Sequence, residues 1–132
     1  MIPAVEKLMT RQICSIASER SVKEAAEEMA ESDIGSLLVH EEREYIGIIT
    51  EGDIVRKVVA KGMDPSTLSV VKAMTSPLTT IEADRSIVDA NDLMEQKKVR
   101  HLGVTKKGKI IGVISVRDLL QPLYKEQKVT GF

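Results

Sequence analysis

The stretch GIITEGDIV at residues 47–55 returns, with its chemistry kept, as GVISVRDLL at residues 112–120. Each copy runs a glycine and two apolar residues into a hydroxyl residue, Thr50 or Ser115, and places an aspartate, Asp53 or Asp118, three positions later. The offset of 65 also carries Met9-Thr10 onto Met74-Thr75, Arg20-Ser21 onto Arg85-Ser86, Ala25 onto Ala90, Met29 onto Met94 and Leu37 onto Leu102. Residues 9–59 align with 74–124 without a gap, and 13 of the 51 pairs are identical, far above chance. Two copies are too few for a solenoid. A half of about 60 residues is marginal alone because it buries little of its surface. The expected architecture is therefore α/β (α+β), two motifs packed face to face about a pseudo-twofold axis, with ligand clefts between them. The repeat divides the chain into a first motif with its lead segment, 1–66, and a second motif with a linker helix, 67–132.

Within the first copy, Ile13–Ile16 reads as a short strand, and Ser21-Val22-Lys23-Glu24 as a capping box opening the helix KEAAEEMAES. The segments SLLVH (36–40) and YIGIIT (45–50) read as strands around the turn EERE, and a helix begins near Asp53 and ends at Lys61-Gly62. The second copy repeats the order with LTTI (78–81), a helix from Ser86 through Met94, HLGVT (101–105), IIGVIS (110–115) and a helix from Asp118 that Pro122 shortens. The result is β-α-β-β-α, twice.

The charges nearly cancel, at a net −1, which argues against a nucleic-acid backbone or an anionic membrane as partner. No stretch nears the roughly 18 apolar residues of a membrane span, and the opening MIPAVEKLMT lacks the order of a signal peptide. A cytoplasmic protein is the expectation. Cys14 is alone, which excludes an internal disulfide; His40 and His101 fall in different copies, and no ligand spacing completes a metal site. Cys14 has no base beside it and reads as a small buried hydrophobe. No nucleophile–base pair stands out, and no residue is expected to be catalytic.

Tandem β-α-β-β-α units, each closed by glycine, two apolar residues, Thr or Ser, and an aspartate three places on, resemble the CBS-domain pair, or Bateman module. The resemblance covers nearly the whole chain. It implies a regulatory module that needs no cofactor and binds an adenosine-containing ligand, AMP, ADP or ATP foremost, in two clefts. It also implies a homodimer whose altered packing is read by a regulated enzyme or transporter. Carried over residue by residue, the first cleft combines Thr50 and Asp53 with Thr79, Thr80, Ile81, Arg100, His101 and Leu102. The second combines Ser115 and Asp118 with Cys14, Ser15, Ile16, Gly35, Ser36 and Leu37. S-adenosylmethionine or an NAD-type molecule is the alternative ligand, and a ligand-free dimerising scaffold the alternative function.

The chemistry fits such a ligand. An aspartate offers two acceptor oxygens to the adjacent hydroxyls of a ribose, the neighbouring Thr or Ser hydroxyl can reach sugar or phosphate, and helix N-termini suit anions. Arg100 and His101 are expected to make the Asp53 cleft the phosphate-binding one, since the first copy has Gly35 and Ser36 in their place. The competing local reading is a capping box. Capping boxes favour Glu or Gln at the third position, where Asp is short, so the paired aspartates count toward a ligand.

Overall fold

The computed structural model describes residues 1–123; Tyr124 to Phe132, including the last pair of the repeat, lie outside the described residues. The chain forms two compact units, Cys14–Leu78 and Met1–Ile13 with the chain from Thr79 onward.

The first unit contains β1 (Ser15–Ala17), α1 (Val22–Ser32), β2 (Ser36–Glu41), β3 (Glu44–Thr50), α2 (Glu51–Asp53, continued as a π-helix over Ile54–Val59) and α3 (Val70–Ala73). The second contains β4 (Thr80–Glu82), α4 (Ile87–Lys97), β5 (His101–Lys106), β6 (Lys109–Ser115) and α5 (Val116–Leu119), after a 3₁₀ turn at Val5–Lys7. The sheets have the same order, β1-β2-β3 and β4-β5-β6, with the first pair parallel and the second antiparallel. Even the bulges correspond, one between Val39 and His40 and the other between Val104 and Thr105. The short edge strands start later than the sequence suggests, and α5 ends at Leu119, with the chain helical again over residues 121–123, Pro122 included.

Local chemistry sets the helix starts. Ser21 Oγ accepts from the Glu24 amide and the Glu24 carboxylate accepts from the Ser21 amide; Ser86 and Asp89 do the same for α4. The Glu24 carboxyl is held below its ordinary pKa chiefly by that backbone hydrogen bond, and the Asp89 carboxyl chiefly by its bond from Arg85. Behind α1, its apolar face (Val22, Ala25, Met29) packs on Ile16, Leu37, Val39 and Ile49. Behind α4, Ala90 and Met94 pack on Ile81, Leu102, Val104 and Ile114.

The compact units are drawn differently from the sequence repeat, whose halves meet at 66/67. Residues 1–13 belong with the second motif, and the linker segment ending at Leu78 belongs with the first. Thr75 pairs with Ile48 on β3, and Thr10 pairs with Val113 on β6; likewise Ser69 bridges Ser21, and Ala4 bridges Ser86. Each lead segment therefore docks on the motif that does not follow it. Because both segments carry the same Met-Thr pair, the sequence contains no cue to which motif receives which.

The motif glycines admit these segments. A Cβ on Gly47 would lie 2.7 Å from the Thr75 carbonyl oxygen and 2.9 Å from Met74 Sδ. On Gly112 it would lie 2.7 Å from both the Thr10 oxygen and Met9 Sδ. Gly47→Ala and Gly112→Ala should each cost about 1–3 kcal/mol in urea denaturation, the usual penalty for overpacking. A change below ~0.5 kcal/mol at both positions would show that the segments are not seated there.

Candidate functional site

The two hydroxyl–aspartate turns start identically. In the first, the Thr50 amide and hydroxyl donate to Asp53 Oδ2 at 3.0 and 3.1 Å, and the Asp53 amide donates back to Thr50 Oγ1 at 3.1 Å. In the second, the Ser115 amide and hydroxyl donate to Asp118 Oδ2 at 2.8 and 3.1 Å, and the Asp118 amide donates to Ser115 Oγ at 3.3 Å. Both are complete capping boxes built with aspartate, as is Ser86–Asp89. Aspartate is thus long enough for the box, and its presence does not count against capping.

The other carboxylate oxygen separates the two turns. Asp53 Oδ1 accepts from Thr75 Oγ1 at 2.9 Å and pairs with Lys57 Nζ at 2.9 Å. With Thr50 supplying two donors to Oδ2, the carboxylate takes four in all, about the full capacity of its lone pairs. Asp53 is 2% exposed and is the only charged residue buried among the described residues. All four of these donors come from the first unit itself, an engagement that the sequence reading of Asp53 did not include. Asp118 is half-buried, and among the described residues its Oδ1 receives no hydrogen bond or ion pair.

The repeat explains the difference. Lys57 corresponds to Pro122, which cannot supply a cation. Thr75 corresponds to Thr10, whose backbone pairs with Val113 but whose hydroxyl makes no bond to Asp118 among the described residues. Thr75 stands out in the sequence only as part of the repeated Met-Thr pair, and neither it nor Lys57 is placed in a site there. The i, i+4 spacing of Asp53 and Lys57 was the available signal.

Arg100 and His101 lie in the same unit as Asp118. The Arg100 carbonyl accepts from the Val116 amide at 3.0 Å, and His101 stands opposite Ser115 in the β5–β6 register. In the first unit the equivalent places are held by Gly35, whose carbonyl accepts from Glu51, and Ser36, opposite Thr50. Thr79 also belongs to the second unit, its carbonyl accepting from Gly103, while Thr80 and Ile81 lie in β4. Cys14, Ser15 and Ile16 lie in or beside β1 of the first unit. The side chains of Ile16, Leu37, Ile81 and Leu102 are core members. Cys14 is half-buried against the first core, as a small hydrophobe. Of the amides that open the short helices, those of Glu51 and Val116 are bonded to the Gly35 and Arg100 carbonyls, and those of Asp53 and Asp118 to the cap hydroxyls. Among the described residues no cluster of His, Cys, Asp or Glu could hold a metal, and no helix is long and apolar enough to cross a membrane.

The family model for the CBS domain matches residues 5–60 and 69–125. The chain belongs to the CBS-domain family. A CBS-domain-containing protein of Bacillus subtilis is 28% identical over 88% of this chain and 82% of its own length. An uncharacterised Methanopyrus kandleri protein is 36% identical over 89% of this chain, which spans 61% of that relative. A solved protein with CBS domains from Burkholderia ambifaria superposes with a TM-score of 0.89 at 32% identity, covering 95% of this chain and 96% of the other. A hexameric CBS-CP12 protein from bloom-forming cyanobacteria superposes with a TM-score of 0.83 at 32% identity, covering 91% of this chain and 67% of the other. The chain is a tandem CBS pair, a module of the regulatory kind.

The two aspartates should respond differently to truncation. Asp53→Ala strands the Lys57 and Thr75 donors and removes the cap, an expected loss of about 2–4 kcal/mol. Asp118→Ala removes the cap alone, about 1 kcal/mol. Thermal or urea unfolding of the two variants gives the comparison, and equal losses would contradict the contrast.

Proposed function

We propose that this CBS pair is a cytoplasmic regulatory module that binds an adenosine-containing ligand, AMP, ADP or ATP, at the Ser115–Asp118 turn of the second motif. The observation that carries this reading is the half-buried Asp118 carboxylate with Oδ1 open among the described residues. One oxygen is fixed by the cap, so the side chain is pre-oriented, and the other is available to ribose hydroxyls. Exposed Arg100 and neighbouring His101, tied through their backbone to the same turn, supply polar groups for phosphate. S-adenosylmethionine and NAD-type molecules share the ribose and fall within the same chemistry.

Ligand binding shifts the module toward the arrangement that holds the ligand better, and a regulated enzyme or transporter reads that shift. We also propose that the working form is a homodimer. Val55, Val59 and Met63 in the first unit and Leu120 and Leu123 in the second are exposed apolar residues that a second copy would cover.

With no Trp and two Tyr, the protein absorbs weakly near 280 nm, so co-purified adenine would stand out in its ultraviolet spectrum. Calorimetry with AMP, ATP and S-adenosylmethionine should find one of them binding below about 1 mM. Asp118→Asn should weaken that binding about tenfold or more. Absence of binding by all three, or an unchanged affinity in Asp118→Asn, would falsify the assignment and leave the scaffold reading.

A further inference from the structure

We infer that the first motif has been taken out of ligand binding by a clasp, in which Lys57 and Asp53 fasten the linker at residues 73–75, so that each chain holds one adenosine ligand. The count of one rests on the ligand reading above; the clasp itself does not. Lys57 Nζ lies 3.2 Å from the carbonyl oxygens of Ala73 and Met74, 3.4 Å from Thr75 Oγ1 and 2.9 Å from Asp53 Oδ1. Thr75 Oγ1 in turn donates to Asp53 Oδ1 at 2.9 Å. One ammonium therefore joins a buried carboxylate to three successive linker residues.

Backbone pairing completes the clasp. The Ile48 amide donates to the Thr75 carbonyl at 3.0 Å, and the Thr75 amide donates to the Ile48 carbonyl at 2.8 Å. A ribose reaching Asp53 would have to displace Thr75 or Lys57 from Oδ1. Freeing Lys57 would leave a buried carboxylate with reduced compensation, which is strongly unfavourable. The same residue that secures the linker thus makes the Asp53 turn a poor ligand site. The second motif keeps the backbone half, with Thr10 paired to Val113, but Pro122 stands in place of Lys57 and among the described residues no side chain joins Asp118 to that segment.

Two measurements on the full chain test this, and they fail independently. Amide hydrogen exchange on Lys57→Met should show Ile48 and Thr75 exchanging about tenfold faster or more, with Val113 and Thr10 unchanged. Unchanged protection at Ile48 and Thr75 overturns the clasp whether or not a nucleotide binds. If Lys57→Met does not fold, Thr75→Val removes only the hydroxyl and reads the same Ile48 amide. Titration with the tightest of AMP, ATP and S-adenosylmethionine should saturate at one ligand per chain and lose that site in Asp118→Asn. Saturation at two, or a site that survives Asp118→Asn and disappears in Asp53→Asn, overturns the single-site assignment. Failure of all three ligands counts against the ligand reading, and the exchange result then decides the clasp alone.

Discussion

Each three-stranded sheet is completed by a short backbone pairing with a Met-Thr segment from elsewhere in the chain, Thr75 on Ile48 and Thr10 on Val113. That pairing needs a glycine on the receiving strand, because a Cβ at Gly47 or Gly112 would overlap a backbone oxygen. A three-stranded sheet with one helix has too little apolar surface to be secure alone. The seated segments add Met9 and Val5 to one core and Val70 and Ala73 to the other. The position of the hydroxyl–aspartate turn follows from this arrangement, since it begins at the far end of the strand that carries the glycine.

From that shared frame the two motifs diverge at one oxygen atom. Both aspartates spend Oδ2 on capping, which is a local, backbone-directed task. In the first motif Oδ1 is spent as well, on a hydroxyl and an ammonium that hold the linker. The second motif keeps Oδ1 open among the described residues, in a half-buried place beside the Arg100–His101 backbone. On the proposed reading, the duplicated element divides fastening and binding between its two copies. Burial decides the division, because a carboxylate as enclosed as Asp53 is tolerable only when paired and fully hydrogen-bonded.

Much of this was legible in the sequence. The ungapped repeat, the short apolar strand runs and the Ser21 and Ser86 caps set out β-α-β-β-α twice, with edges shifted by one or two residues at the short strands β1 and β4. The exchange of the lead segments was not legible, since Met9-Thr10 and Met74-Thr75 are identical and a repeat is blind to which copy serves which. The π-helical turn over Ile54–Val59 was hidden too, because its residues alternate as any amphipathic helix would. The Thr50 and Asp53 pattern was visible, but its use was not. That depended on a hydroxyl 22 residues away in the chain and on a lysine whose spacing is common on helix surfaces.

Carbon-13 NMR of the side-chain carboxyls during a nucleotide titration examines the division between the two aspartates most directly. The account expects the Asp118 carboxyl signal to shift on addition of AMP or ATP while the Asp53 signal stays in place. A shift at Asp53 with Asp118 unmoved would contradict it.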